Sequence, residues 1–198
     1  MVLKVGVLAL QGDVREHIFA IESCGVTALA VRRPVEIAAV DALIIPGGES
    51  TTIAHLAHTF EVFDLIKERI HQGMPTYGSC AGMILLADRV LDATPDQTTF
   101  GGLDITVRRN AFGRQVDSFE VDIALLGLHE SMRAVFIRAP WVEEIGPKVE
   151  VLGSVSSAGA GMHAVAVRQE QLLATSFHPE LTADNRIHRY FVEEVCKS

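Results

Sequence analysis

Tyr77-Gly78-Ser79-Cys80-Ala81-Gly82 sets one reactive side chain between small residues, where an apolar strand that begins at Pro75 passes into a helix starting near Ala81. A turn this sharp leaves room only for small neighbours and carries its central residue to the mouth of a sheet. That is the nucleophile-elbow pattern with Cys in place of Ser. The positive end of the following helix favours a thiolate there. Taken alone, the segment also fits a buried, inert cysteine beside a glycine turn. An elbow requires strands and helices in alternation on either side of it, so the flanking sequence tests the choice.

On the N-terminal side, Val5 to Leu10 reads as a strand, Val14 to Cys24 as a helix ended by Gly25, and Thr27 to Val31 as a strand. Ala42 to Ile45 is another strand, closed by Pro46-Gly47-Gly48, and helical spacing runs from Phe60 to Gln72 through Phe63, Ile66 and Ile70. Beyond Leu91 helices become scarce. Strands are expected over Ile105 to Arg108, Ser118 to Ile123, Ala134 to Ile137, Val149 to Val155, Ala164 to Arg168 and Leu172 to Ser176. Gly159-Ala160-Gly161 is expected to turn a hairpin between two of them. Arg186 to Cys196 is helical, with Ile187, Phe191 and Val195 on one apolar face. This alternation predicts an α/β sheet protein, with residues 1–198 forming one domain.

Composition narrows the function. A chain of 198 residues, 48% apolar and 21% charged, can bury a sizeable core. Its net charge of -8 and lack of a Lys/Arg-rich run argue against a nucleic-acid partner, because phosphate binding needs clustered cations. No stretch approaches the roughly 18 apolar residues of a membrane-spanning helix, which predicts no membrane partner. Cys24, Cys80 and Cys196 cannot all pair and none has a metal-ligand spacing, so a reducing, cytoplasmic setting is expected with no metal and no cofactor. His17, His55, His58, His71, His129, His163 and His188 show no metal-ligand clustering and read as structural or exposed. Trp141 reads as a packing residue or an interface anchor.

Two further segments carry chemistry. Ser176-Phe177-His178-Pro179-Glu180 follows an apolar strand, and a His and a carboxylate two residues apart can set an imidazole beside a thiol with the carboxylate behind it. A surface turn after a strand also fits these five residues. Pro46-Gly47-Gly48-Glu49-Ser50-Thr51-Thr52 offers a glycine backbone able to aim an amide N–H at an oxyanion, with Ser50 or Thr51 placed to cap the next helix. A plain glycine turn is the alternative. A phosphate-cradling loop would need Lys where Glu49 stands.

In this order and spacing the three segments resemble the class I glutamine amidotransferases. Leu10-Gln11-Gly12, Pro46 to Thr52, Arg109-Asn110-Ala111-Phe112-Gly113-Arg114-Gln115 and Phe177-His178-Pro179-Glu180-Leu181-Thr182 are similar, more finely, to the glutaminases that serve pyridoxal 5'-phosphate synthases. The resemblance implies a mixed, mostly parallel central sheet flanked by helices, a flavodoxin-like three-layer fold. It implies hydrolysis of L-glutamine to L-glutamate and ammonia through a cysteine thioester. The ammonia would go to a synthase subunit in a hetero-oligomer that makes pyridoxal 5'-phosphate, vitamin B6. By the same carry-over Cys80 is the nucleophile, His178 the proton shuttle and Glu180 its orienting carboxylate. The N–H groups of Gly48 and Ala81 hold the oxyanion; Gly47, Gly48, Glu49, Ser50, Arg109, Ile137 and Arg138 line the glutamine site; Gln11 lies near the oxyanion region and the partner. A relative serving imidazole glycerol phosphate synthesis would share the triad but lack the Arg109 to Gln115 segment.

Overall fold

The four residues Ala42-Leu43-Ile44-Ile45 show how the sheet is made. Their side chains alternate between two apolar clusters, Leu43 and Ile45 facing one and Ala42 and Ile44 the other, so the strand is buried on both faces and reads as an unbroken apolar run. The structure, a computed structural model, describes residues 2–111, 118–157 and 161–197. Its first part runs β1 (Lys4–Leu8), α1 (Val14–Ser23), β2 (Thr27–Val31), α2 (Pro34–Ala38), β3 (Ala42–Ile45), α3 (Ser50–Thr59), α4 (Phe63–His71), β4 (Thr76–Ser79) and α5 (Ala81–Leu86). Then come β5 (Ala87–Leu91), β6 (Leu103–Arg108), β7 (Ser118–Ile123), β8 (Met132–Ile137), β9 (Trp141–Ile145), β10 (Glu150–Ser157), β11 (Gly161–Gln169) and β12 (Leu172–Thr175). A 3-10 turn (Pro179–Leu181) leads to α6 (Arg186–Tyr190), which continues as a π-helical turn (Phe191–Val195).

Among the described residues ten strands join in one sheet, in the order β2-β1-β3-β4-β12-β11-β9-β6-β5 with β10 beside β11. From β2 to β12 every pairing is parallel. From β12 outward the pairings of β11, β9 and β6 are antiparallel, and β5 adds to β6 in parallel. The hairpin of β7 and β8 forms a separate two-stranded sheet. Helices α3, α4 and α5 cover one face of the parallel half; α1, α6 and the β7–β8 hairpin cover the other. This is the expected three-layer, mostly parallel arrangement. Among the described residues no helix is long and apolar enough to cross a membrane.

The departures from expectation are local. The first strand ends at Leu8 because Ala9 and Leu10 turn out of the sheet. The helix expected from Phe60 begins at Phe63, since Glu61 takes a left-handed φ of 58° that breaks it from α3. Three elements escaped the periodicity. Helix α2 is too short for a 3.6-residue pattern, while β5 and β9 carry Asp88-Arg89 and Glu143-Glu144 on exposed positions. Strands β10 and β11 pair antiparallel down to Ser157 opposite Gly161, but the expected turn at Gly159-Ala160 lies outside the described residues.

Candidate active site

Strand β4 delivers Cys80 to the carboxyl edge of the sheet, where open α/β sheets place their sites. Its backbone has φ 50° and ψ -101°, a region that L-residues avoid, and its amide is held by the Thr175 carbonyl of β12 at 2.7 Å. The small flanks are required. A Cβ on Gly78 would come within 2.5 Å of the Gly82 backbone, and one on Gly82 would run into the Ile45 carbonyl. Six non-glycine residues among those described take positive φ, and three of them, Cys80, Asn110 and Arg138, line the same cavity of about 430 Å³. Strained backbone gathered around one hollow is the pattern of a working site.

Strand β12 ends at Thr175, and the chain carries His178 over Gly47, whose missing side chain makes room for the imidazole. The His178 amide is pinned to the Val135 carbonyl of β8 at 2.9 Å. Its Nδ1 lies 2.8 Å from Glu180 Oε1, which leaves Nε2 on the cavity side that Cys80 shares, where the thiol stands 3.8 Å from the Ile137 carbonyl. Burial disfavours the imidazolium, but the bonds to Cys80 and Glu180 and their negative charge outweigh it and push the His178 pKa up to about 10. Burial would likewise raise the Glu180 carboxyl, yet the His17 and His178 imidazoles hold it well below the ordinary carboxylate range. Protonated imidazole beside the sulfur is what a reactive cysteine needs. The other thiols are set the opposite way: burial raises Cys24 and pushes Cys196 up to about 12.

The cavity brings together Gln11, Gly48, Glu49, Ser50, Cys80, Ala81, Arg109, Ile137, Arg138 and His178 from the expected set. Gly47 lies beneath the imidazole rather than on the wall, and Glu180 sits behind His178. Glu180 instead borders a larger hollow of about 660 Å³ against α1, whose lining includes neither a cysteine nor a histidine. Two details correct the sequence expectation. Glu49, not Ser50 or Thr51, caps α3, because the helix starts at Ser50 and the Glu49 carboxylate accepts the Thr52 N–H at 2.8 Å. Ser50 Oγ donates to Gln97 Oε1 at 2.6 Å. Arg109 pairs with Glu49 at 2.8 Å, so a guanidinium and a carboxylate stand side by side on one wall, a fit for the two charged ends of an amino acid. Gln11 accepts the Glu49 N–H at 2.9 Å and contacts the Gly48 position, where φ is 142°.

Residues 7–197 match the SNO glutamine amidotransferase family. The chain belongs to that family. It is 63% identical to the pyridoxal 5'-phosphate synthase subunit PdxT of Acidothermus cellulolyticus, over 98% of this chain and 94% of that protein. It is 60% identical to the subunit of the same name from Kineococcus radiotolerans, over 96% of this chain and 94% of that protein. A crystal structure described as a glutamine amidotransferase superposes with a TM-score of 0.88 at 47% identity, covering 98% of this chain and 99% of the other.

Within this amidotransferase site, sequence reading missed Asp13, Ile84 and the buried pair His17 and His188. Asp13 Oδ2 stands 3.9 Å from His178 Nδ1, and burial and Glu180 raise its carboxyl. It follows Gln11-Gly12 directly, so its signal in the sequence is its place next to that motif. Asp13, His178 and Glu180 bring ligand atoms within 4.8 Å of one another. A cation there would have to break the hydrogen bond that orients the imidazole. Phe112 to Gln115, the end of the Arg109 segment, lie outside the described residues.

Proposed function

We propose that this chain is the glutaminase subunit of a pyridoxal 5'-phosphate synthase, hydrolysing L-glutamine and passing ammonia to a synthase subunit. One observation carries the chemistry: a strained Cys80 shares its cavity with an imidazole whose far nitrogen is fixed 2.8 Å from a buried carboxylate. The assembly follows from the relatives at 60–63% identity, each named as a synthase subunit. The chain acts as one domain in the cytoplasm, where its three free cysteines stay reduced.

The thiolate of Cys80 attacks the carboxamide carbon of glutamine, and the carbonyl oxygen gathers charge against the amides of Gly48 and Ala81. Ala81 opens α5, and the first amides of a helix have no carbonyl of their own to bond. As the C–N bond breaks, His178 Nε2 gives its proton to the leaving nitrogen, and ammonia departs from a thioester. The now neutral imidazole takes a proton from water, hydroxide adds to the thioester, and glutamate leaves as the thiolate returns. Glu49, Arg109 and Arg138 hold the α-ammonium and α-carboxylate ends. A glutamate-release assay with and without the candidate synthase subunit tests the reading. Release that depends on Cys80 and rises when the synthase is added is expected; no release in either condition would overturn it.

A further inference from the structure

Behind Glu180 the fold buries two histidines that the triad does not account for. His17 on α1 and His188 on α6 are both fully buried. His17 Nε2 stands 3.1 Å from Ser79 Oγ and 3.5 Å from Glu180 Oε1, and its Nδ1 stands 2.8 Å from His188 Nε2. Glu180 Oε1 is the oxygen that receives the His178 Nδ1–H, while Oε2 has no partner among the described residues.

With both rings neutral, one of the two placements of protons suits these contacts. If His188 donates its Nε2–H to His17 Nδ1, then His17 carries its own proton on Nε2, pointed at the carboxylate and the Ser79 hydroxyl. The atom left without a partner, His188 Nδ1, is then a bare lone pair. The opposite placement would bury an unpaired N–H on His188 and turn a lone pair of His17 toward a carboxylate, and both are costly. A neutral His188 fits, because burial and the neighbouring His17 push its pKa down to about 3.

We propose that His17 is a positioning residue of this active site, its Nε2–H joining the Glu180 carboxylate to the Ser79 hydroxyl at the base of the elbow, in the tautomer that His188 imposes. The proposal deepens the glutaminase reading and rests on it for the identity of the reaction. A buried carboxylate with His178 as its single donor would gain a proton more readily and cease to hold the imidazolium. The groups facing Glu180 are His17 and Asp13 from the α1 side, Tyr77 from β4, His178 from its own segment and His188 from α6. The Asp13 carboxyl is itself raised by burial and by the Glu180 charge and donates nothing to Glu180, and the Tyr77 hydroxyl is engaged by Thr175 at 2.9 Å, so the donor that steadies Glu180 besides His178 is His17. Its bond to Ser79, one residue before the nucleophile, also fixes the distance between the two halves of the triad.

The test uses the full chain and reads Cys80 directly. Alkylation of Cys80 by iodoacetamide, resolved from Cys24 and Cys196 by peptide mass spectrometry, is followed against pH for the parent, His17→Leu and His17→Gln; glutamate release is measured on the same proteins with the synthase subunit. Gln carries an N–H at the place of Nε2 and Leu carries none. In His17→Leu the acid limb of alkylation should move up by about one pH unit or more. Its kcat should fall roughly 10- to 10²-fold, as when a group behind a reacting residue is removed, with KM within about twofold because His17 is off the cavity wall. His17→Gln should recover most of both. An alkylation profile for His17→Leu that superimposes on the parent's, or a Gln variant as impaired as the Leu variant, overturns the proposal. Should His17→Leu fail to fold, His17→Asn replaces it, since Asn sets its N–H at the Nδ1 place: Gln outperforming Asn supports the role, and equal profiles overturn it. If the parent releases no glutamate, the glutaminase reading falls while the alkylation profiles still judge His17.

Discussion

Where β3, β4 and β12 end, the chain leaves the sheet with Gly47-Gly48, Cys80 and His178; where β6 and β8 end, it leaves with Arg109-Asn110 and Ile137-Arg138. The first three strands are buried at every residue. Strand β8 buries every second residue, and its hairpin partner β7 is exposed at every second residue. Both groups face one cavity, but they are held differently. Chemistry that depends on small displacements stands on the parallel half, where each strand is clamped on two faces and Cys80 is tied to β12 through its amide. We place the arginines that recognise the substrate, Arg109 and Arg138, on the other side, after β6 and the separate β7–β8 hairpin, with Glu49 reaching them from the end of β3 through its ion pair to Arg109. The expected consequence is a division of kinetic labour: damage on the parallel side should appear in kcat, damage on the other side in KM.

The strongest test of that division removes the nucleophile. Cys80→Ala should lower kcat by on the order of 10⁶, the size of loss when one member of such a catalytic unit goes, and His178→Asn should be almost as poor. Cys24→Ala should be silent. The double variant of Cys80 and His178 should be no worse than the single ones; losses that add in activation free energy would mean the two residues do not form one unit.

That same half was also the more legible in sequence, for a physical reason. Parallel strands buried on both faces write themselves as short apolar runs, so Ala42 to Ile45 and Leu172 to Ser176 stood out, and the glycines at 47, 78 and 82 marked the places where backbones approach too closely for a side chain. The order of the three motifs pointed to Cys80, His178 and Glu180, which the structure brings together, because each motif follows such a run. His17 and His188 were not legible. They are separated by 171 residues, and nothing in their local sequence distinguishes a histidine facing Glu180 from one facing water. Strands β5 and β9 escaped because their exposed charges, among them Arg89, Glu143 and Glu144, hide the period of two. The cap of α3 was misread since Glu49 does by carboxylate what Ser or Thr does by hydroxyl.

A smaller loss is expected at Gly48. Its φ of 142° is strained for any L-residue, and a Cβ would stand 2.8 Å from the Gln11 side chain. Gly48→Val should misplace the oxyanion amide and lower kcat roughly 10²–10³-fold, and it should abolish any rise in rate on adding the synthase, because rotation of the 47–48 peptide then becomes costly. A free parent chain already as fast as the complex at saturating glutamine would remove the switch and leave the triad intact. On the antiparallel side, Arg109→Met should raise KM by about 10- to 10²-fold, the worth of one charge-assisted hydrogen bond, with kcat nearly unchanged. A fall in kcat of the same size with KM constant would break the division between the halves.

The smallest effect concerns stability, and it asks whether the rigid half carries a cost in acid. The pKa of His188, on α6 behind β4, is pushed down to about 3 by burial from its ordinary 6.5. The unfolded chain therefore binds a proton at this residue over a range in which the folded chain does not. The stabilisation is complete above pH 6.5 and is lost as pH falls toward 3, by at most about 1.4 kcal/mol per pH unit. Glu180, held low when folded, adds a loss in the same direction once pH falls through its ordinary value of 4.5. His178 acts oppositely: raised to about 10, it stabilises fully below 6.5 and its contribution disappears as pH climbs from there to about 10. Between pH 6.5 and 4.5 the His188 contribution is thus separable from both. His188→Gln keeps an N–H for His17 Nδ1 and cannot titrate, so urea midpoints measured across that window should fall less steeply for the variant than for the parent. Parallel slopes would mean that His188 takes up its proton in the folded state as easily as in water, and that the tight packing behind the triad leaves acid stability untouched.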